Sequence, residues 1–233
     1  MLEELKEQVL RANLDLVGHG LVTLTWGNAS GFDRQKGIMA IKPSGLCYDA
    51  LKPADMVLVD WEGNKVEGRL SPSSDTPTHL ELYRAFAGIG GVVHAHSEYA
   101  TMFAQAGREI PCLGTTHADI FHGPVPVTRR LTKREITGDY ERRTGLVIVE
   151  RFTRLSPAEI PGVLVAGHGP FSWGRTAAEA VENGLALEKI AKLAWGTIAL
   201  APPPRFPRAL LDKHFLRKHG PGAYYGQKKG ESR

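Results

Sequence analysis

The sequence predicts a single α/β domain in which helices cover a mixed or antiparallel sheet. Three observations lead there. The chain has 233 residues, 42% apolar and 23% charged, the size and composition of one large globular domain. Apolar residues at helical spacing and short β-branched runs are interspersed, but they do not alternate regularly enough for a doubly wound parallel sheet. No internal repeat and no linker divides the chain.

In order, Leu2, Leu5, Val9, Ala12 and Leu16 recur at helical spacing and predict a first helix that ends at Gly18 and Gly20. LVTLTW reads as a strand as far as Trp26, with Gly27-Asn28 as its turn. GIMAI and MVLVD predict further strands, and Glu62-Gly63-Asn64 turns into a short edge strand. Thr76-Pro77 reads as an N-cap with proline at the first helical position, followed by a face of Leu82, Tyr83 and Phe86. GVVHAH is a strand and SEYATMFAQAG a helix leaving it. Thr115, Thr116, His117 and Asp119 crowd into a polar connection. LVIVE at 146–150 and PGVLVAGHGPFSWG predict buried strands, the second ending at His168 between two glycines. Thr176 with Glu179 forms a capping box that opens a long helix. PPPRFP breaks the chain before LLDKHFLRKHG, a helix ending at Gly220.

Composition narrows the function classes. Cys47 and Cys112 form no C-x-x-C and read as small buried residues, so neither a disulfide framework nor a thiolate metal site is expected and a reducing cytoplasm is the default. The amphipathic N-terminus lacks the pattern of a signal peptide, and no apolar run reaches the length of a membrane span. The formal net charge of +4 collects near the C-terminus without a basic, aromatic-interleaved face, which speaks against a nucleic-acid partner. A few cations also suit an anionic small molecule.

The chemistry centres on GVVHAHS. Side chains alternate on a strand, so His94 and His96 project to one side and can present two nitrogens to one ion. His168, with glycine on both sides, supplies a third imidazole at another strand end. Three imidazoles leave coordination positions for a substrate, and without thiolates zinc is the first choice, with cobalt or manganese as alternatives. Lys42-Pro43-Ser44-Gly45 places an ammonium, a hydroxyl and a glycine backbone together, which are the parts of a phosphate pocket but equally of a Pro-Gly turn with a surface lysine. Ser73 and Ser74 precede a helix N-terminus, where anions are favoured, with Asp75 in the same turn.

The ordered segments LVTLTWGNAS, IKPSG, PSSDTPTH, GVVHAHS, GTTHAD, GVLVAGHGPF, LLDKHFLRKHG and AYYGQ resemble the L-ribulose-5-phosphate 4-epimerase family of the class II aldolase (fuculose-phosphate aldolase-like) superfamily. The resemblance covers 1–227 as one domain and leaves 228–233, KKGESR, as a tail. It implies a three-layer α/β/α fold with a mixed, largely antiparallel sheet, and a homotetramer whose zinc site lies between neighbouring subunits. It also implies a sugar-phosphate substrate of pentose, L-arabinose, catabolism.

By the resemblance, His94, His96 and His168 are metal ligands and Asp75 is the carboxylate at the metal, where the related aldolases carry a glutamate. Gly27, Asn28, Lys42, Ser44, Gly45, Ser73 and Ser74 bind phosphate, and Asp119 and Tyr225 are the acid/base pair. Thr115, Glu141, His214 and Arg217 support the site, with His214, Arg217 and Tyr225 coming from the adjacent subunit. The implied reaction is a zinc-dependent retro-aldol and re-addition across C3–C4. Direct proton abstraction would be hard at C4, because its proton is not next to the carbonyl. His19, His79 and His219 read as surface or helix residues, and His122 has no assigned role.

Overall fold

The computed structural model describes residues 2–226, so the expected boundary at 227/228 and the tail lie outside the described residues. Among the described residues, seven strands form one sheet: β1 (Asn28–Asp33), β2 (Ile38–Ile41), β3 (Val57–Val59), β4 (Lys65–Glu67), β5 (Gly91–His94), β6 (Gly162–Leu164) and β7 (Pro170–Gly174). Their order is β4-β3-β2-β1-β5-β7-β6, and every neighbouring pair is antiparallel. The parallel component of the expected mixed sheet reduces to an isolated bridge between Val127 and Leu164.

Eight α-helices of the described residues surround the sheet: α1 (Leu2–Gly18), α2 (Thr76–Ala85), α3 (Glu98–Ala106), α4 (Thr115–Ala118), α5 (Lys133–Thr137), α6 (Tyr140–Arg151), α7 (Ala177–Leu200) and α8 (Arg208–His219). Strand alternation divides them into layers. Ala29 and Val93 face one side, where they pack with Ala12 and Leu16 of α1 and Ala180 and Val181 of α7. Phe32, Met39, Ile41, Val57, Val92 and Trp173 face the other, against Leu80, Leu82 and Tyr83 of α2 and Ile148 of α6. The result is the three-layer arrangement, with both sheet faces covered except at the exposed edge strand β4.

Four readings need correction. LVIVE is not a strand but the last turns of α6. Its β-branched residues suit either element, and burial of Thr144, Gly145, Val147 and Ile148 at helical spacing decides for the helix. The strand expected over 21–26 begins instead at Asn28, because Leu24 takes φ 55 and Gly27 φ 102, which break an extended run. Asp75, not Thr76, occupies the N-cap of α2. Finally, Cys47 is exposed and Cys112 is half-buried, so neither is a core residue.

Candidate metal centre and anion pocket

β5 builds the centre of the site. Val93 faces α7, so its neighbour His94 faces α2, where its ring stacks on Phe171 of the adjacent β7 at 4.2 Å and 17°. β5 ends at His94, and the chain runs on through Ala95 to His96. His168 is in the tight turn joining β6 to β7 rather than on a strand, closed by Val165 N–H donating to the Gly169 carbonyl at 2.9 Å. A side chain at Gly169 would meet the Ala95 carbonyl at 2.9 Å, so glycine is what lets this turn approach the β5 end.

One ligand atom each from His94, His96 and His168 falls within 4.8 Å of the others. Nε2 of His94 lies 3.0 Å from Nε2 of His96. Nδ1 of His94 donates to the Pro170 carbonyl at 3.0 Å, which leaves its Nε2 as the lone-pair nitrogen. Burial, and then the neighbouring His94, lower the pKa of His96. Burial, His94 and His96 bring that of His168 down to about 4. These two imidazoles are therefore neutral at pH 7, the form that binds a metal. The donor set, its mutual spacing and its protonation fit a divalent ion.

Asp75 is beside this group in the same cavity. Its Oδ2 accepts from Asn28 Nδ2 at 2.7 Å, and Asn28 Nδ2 also donates to Ser73 Oγ at 3.1 Å. Burial acts to raise its pKa, but His94, His79 and the Asn28 hydrogen bond outweigh it and hold the carboxyl below its usual range.

The cavity, about 380 Å³, extends from the imidazoles to the phosphate-type segments. It is lined by Gly27, Asn28, Lys42, Ser44, Gly45, Ser73, Ser74, Asp75 and Glu141 as the sequence suggested. Chain pairing explains how distant segments meet. Ser73 N–H donates to the Lys42 carbonyl and Ser44 N–H to the Ser71 carbonyl, both at 3.0 Å, so the two loops form one wall. A Cβ on Gly27 would reach the His94 carbonyl at 2.8 Å, which fixes glycine where this wall meets β5.

Lys42 is only 2% exposed. Its ammonium lies 4.7 Å from the centre of the Tyr48 ring and 3.4 Å from the Pro43 carbonyl, with no carboxylate in salt-bridge range among the described residues. Burial lowers its pKa. A buried cation left without an anion is costly unless a ligand supplies the charge.

Asp119, His214, Arg217 and Tyr225 form a second cluster outside this cavity. Asp119, at the end of α4, accepts from His214 Nδ1 at 2.9 Å and Arg217 at 2.9 Å, and Lys218 lies 3.3 Å away. Burial pushes its pKa up, but these partners overrule it and hold the carboxyl low. Tyr225 stacks under the same Arg217 and Lys218, at 4.8 and 4.4 Å. Asp119 and its α8 partners thus travel together on one chain. Thr115 opens α4 below them and does not line the cavity.

The sequence profile of the family described as Class II Aldolase and Adducin N-terminal domain matches residues 7–195. The chain belongs to this family. Among solved structures, an L-fuculose 1-phosphate aldolase aligns with TM-score 0.77 and 28% identity, over 91% of this chain and 94% of that one. YgbL of Escherichia coli, whose name leaves aldolase, epimerase or decarboxylase open, aligns with TM-score 0.69 and 25% identity over 91% and 98%. The L-fuculose-1-phosphate aldolase of Thermus thermophilus aligns with TM-score 0.66 and 25% identity over 87% and 98%. The chain thus carries the class II aldolase-family fold, and its three imidazoles are spaced as a divalent-metal centre would need. Among the described residues, no helix is long and apolar enough to cross a membrane.

Several residues of this class II aldolase-family site escaped sequence reasoning. Tyr140 and Trp26 line the cavity, and neither belongs to a motif with a metal or phosphate signature. His79, expected at the surface or on a helix, is on α2 and wholly buried, with Nδ1 2.7 Å from Ser30 Oγ, which in turn lies 2.8 Å from the Tyr83 hydroxyl. Its spacing on the inward face of α2 was the available signal. His122 is bracketed by Asp212 at 2.8 Å and Glu159 at 3.3 Å, a tie between α8 and the body.

Proposed function

We propose that the protein is a zinc-dependent L-ribulose-5-phosphate 4-epimerase of pentose, L-arabinose, catabolism. It would interconvert L-ribulose 5-phosphate and D-xylulose 5-phosphate through reversible cleavage of C3–C4. The observation carrying this reading is that one cavity joins three closely spaced imidazoles to a buried Lys42 that has no carboxylate partner among the described residues. Its roughly 380 Å³ suits a five-carbon sugar phosphate.

An ion held by His94, His96 and His168, with Asp75 beside it, supplies Lewis-acid charge for the negative charge developing on ketose oxygens. The chain does the rest. Lys42, with Ser44-Gly45, Ser73-Ser74 and the Gly27-Asn28 turn, tethers the phosphate, so the glycolaldehyde phosphate fragment stays while its aldehyde turns over. The buried Asn28 Oδ1 lacks a donor and can accept a substrate hydroxyl. Asp119 and Tyr225 take and return the C4 hydroxyl proton on opposite faces. Since they lie outside the cavity of their own chain, they would act on a neighbouring subunit's cavity in a homotetramer, with Thr115, Glu141, His214 and Arg217 in support. In that arrangement Asp119 crosses the interface together with His214 and Arg217.

A second reading, a fuculose-phosphate-type aldolase that releases its fragments, is favoured by the names of two similar structures. Asp75 in place of the aldolases' glutamate argues for the epimerase. Product analysis from L-ribulose 5-phosphate, with and without chelator, separates the two. The epimerase reading expects D-xylulose 5-phosphate only when metal is present. Stoichiometric release of glycolaldehyde phosphate and dihydroxyacetone would establish the aldolase instead.

A further inference from the structure

α6 brings to the cavity a phenol that the proposed chemistry leaves unused. Tyr140 opens this helix, lines the cavity and places its Oη 3.4 Å from Nδ1 of His168. Its position is fixed by the contact of α6 with α2. Thr78 Oγ1 donates to the Glu141 carbonyl at 2.6 Å. Glu81 of α2 accepts from Arg142 of α6 at 3.0 Å and from Arg84 at 2.8 Å. Gly145 permits the close approach, since a Cβ there would lie 2.7 Å from Glu81 Cβ and 3.0 Å from the Thr78 carbonyl. Asp75 caps that same α2, so one helix pair sets both the carboxylate and the phenol relative to the imidazoles.

The direction of the hydrogen bond follows from ligand chemistry. A neutral imidazole that offers Nε2 to an ion carries its proton on Nδ1 and needs an acceptor there. For His94 the acceptor is the Pro170 carbonyl. For His168 the group in place is the Tyr140 hydroxyl.

We infer that Tyr140 is the positioning residue for His168: its hydroxyl oxygen accepts the Nδ1 proton and so turns Nε2 toward the ion. The phenolic proton then remains free to point into the cavity. This rests on the reading of His94, His96 and His168 as metal ligands, and the experiment keeps the two apart.

The test uses Co²⁺ as the probe. Metal-free full-length protein, wild type and Tyr140→Phe, is titrated with Co²⁺ against a chelator of known affinity, and the visible spectrum of the bound ion is recorded. The expected result is a dissociation constant raised about tenfold or more in Tyr140→Phe. A changed visible spectrum and an unchanged melting temperature of the metal-free protein should accompany it. Equal Co²⁺ affinity and equal spectra would overturn the assignment. So would a fall in the metal-free melting temperature alongside the lost affinity, which would make Tyr140 a packing residue. Wild-type protein that binds no Co²⁺ would overturn the metal reading beneath it as well.

Discussion

His94 donates its Nδ1 proton to the Pro170 carbonyl across 3.0 Å, and this bond decides what its other nitrogen can do. Nε2 is left as a lone pair aimed at Nε2 of His96, 3.0 Å away. Pro170 opens β7, the strand whose Phe171 pairs with His94 in register. The same strand pairing that builds the sheet therefore sets the tautomer of a candidate ligand.

Lys42 tests the anion end of the cavity. We expect Lys42→Met to raise KM for a sugar phosphate at least tenfold, since a charge-assisted contact to phosphate is lost. The metal-free protein should be no less stable, because an ammonium buried without a counter-ion costs free energy. Steady-state kinetics and thermal melting check both parts. An unchanged KM would remove Lys42 from the phosphate site.

Asp119→Asn separates the two clusters. Asp119 holds His214, Arg217 and Lys218 but contacts none of the three imidazoles in its own chain. Turnover should be abolished while metal content, measured by elemental analysis, stays at the wild-type level. Loss of metal would contradict the acid/base assignment.

Gly145→Ala probes the helix contact that carries Tyr140 and Glu141. The added methyl would lie 2.7 Å from Glu81 Cβ, close to the backbone of α2, where no flexible end can yield. The expected cost is about 1–3 kcal/mol in chemical denaturation, from overpacking. Wild-type stability would show that α6 is free to shift away from α2.

That the Lys42 and Ser73 loops and the three histidines would meet in one cavity was legible because their patterns are local: H-x-H at a strand end, a serine pair before a helix, a lysine beside a glycine. The layers were legible from period-2 and helical spacing. LVIVE was misread because a β-branched run carries no period of its own, and only packing on α2 makes it a helix. Tyr140 could not be read at all, since its meaning depends on a distance of 3.4 Å to a residue 28 positions away. His79 is on a helix, one of the two places expected for it, but its partner across the core could not be named, since Ser30 lies 49 positions earlier.

His117 predicts a pH response. It is buried, and its Nε2 donates to the Gly123 carbonyl at 2.7 Å. Burial outweighs that hydrogen bond and lowers its pKa from 6.5 to about 4. The folded protein thus keeps His117 neutral where the unfolded chain already binds a proton. Its contribution is whole above pH 6.5, falls as pH drops toward 4, and then levels. The loss should be on the order of 1 to 3 kcal/mol in urea unfolding of metal-free protein. His117→Asn should reduce that slope without abolishing it, because His168 is lowered to about 4 as well, and an unchanged slope would remove His117 from the titrating groups.

The most direct test of the account is anomalous scattering at the zinc edge from crystals of the zinc-loaded protein and of His96→Asn. One peak per chain bounded by His94, His96 and His168, with Asp75 beside it, and no peak in His96→Asn, is the expected result. A peak elsewhere in the chain, or full zinc occupancy in His96→Asn, would contradict the central claim.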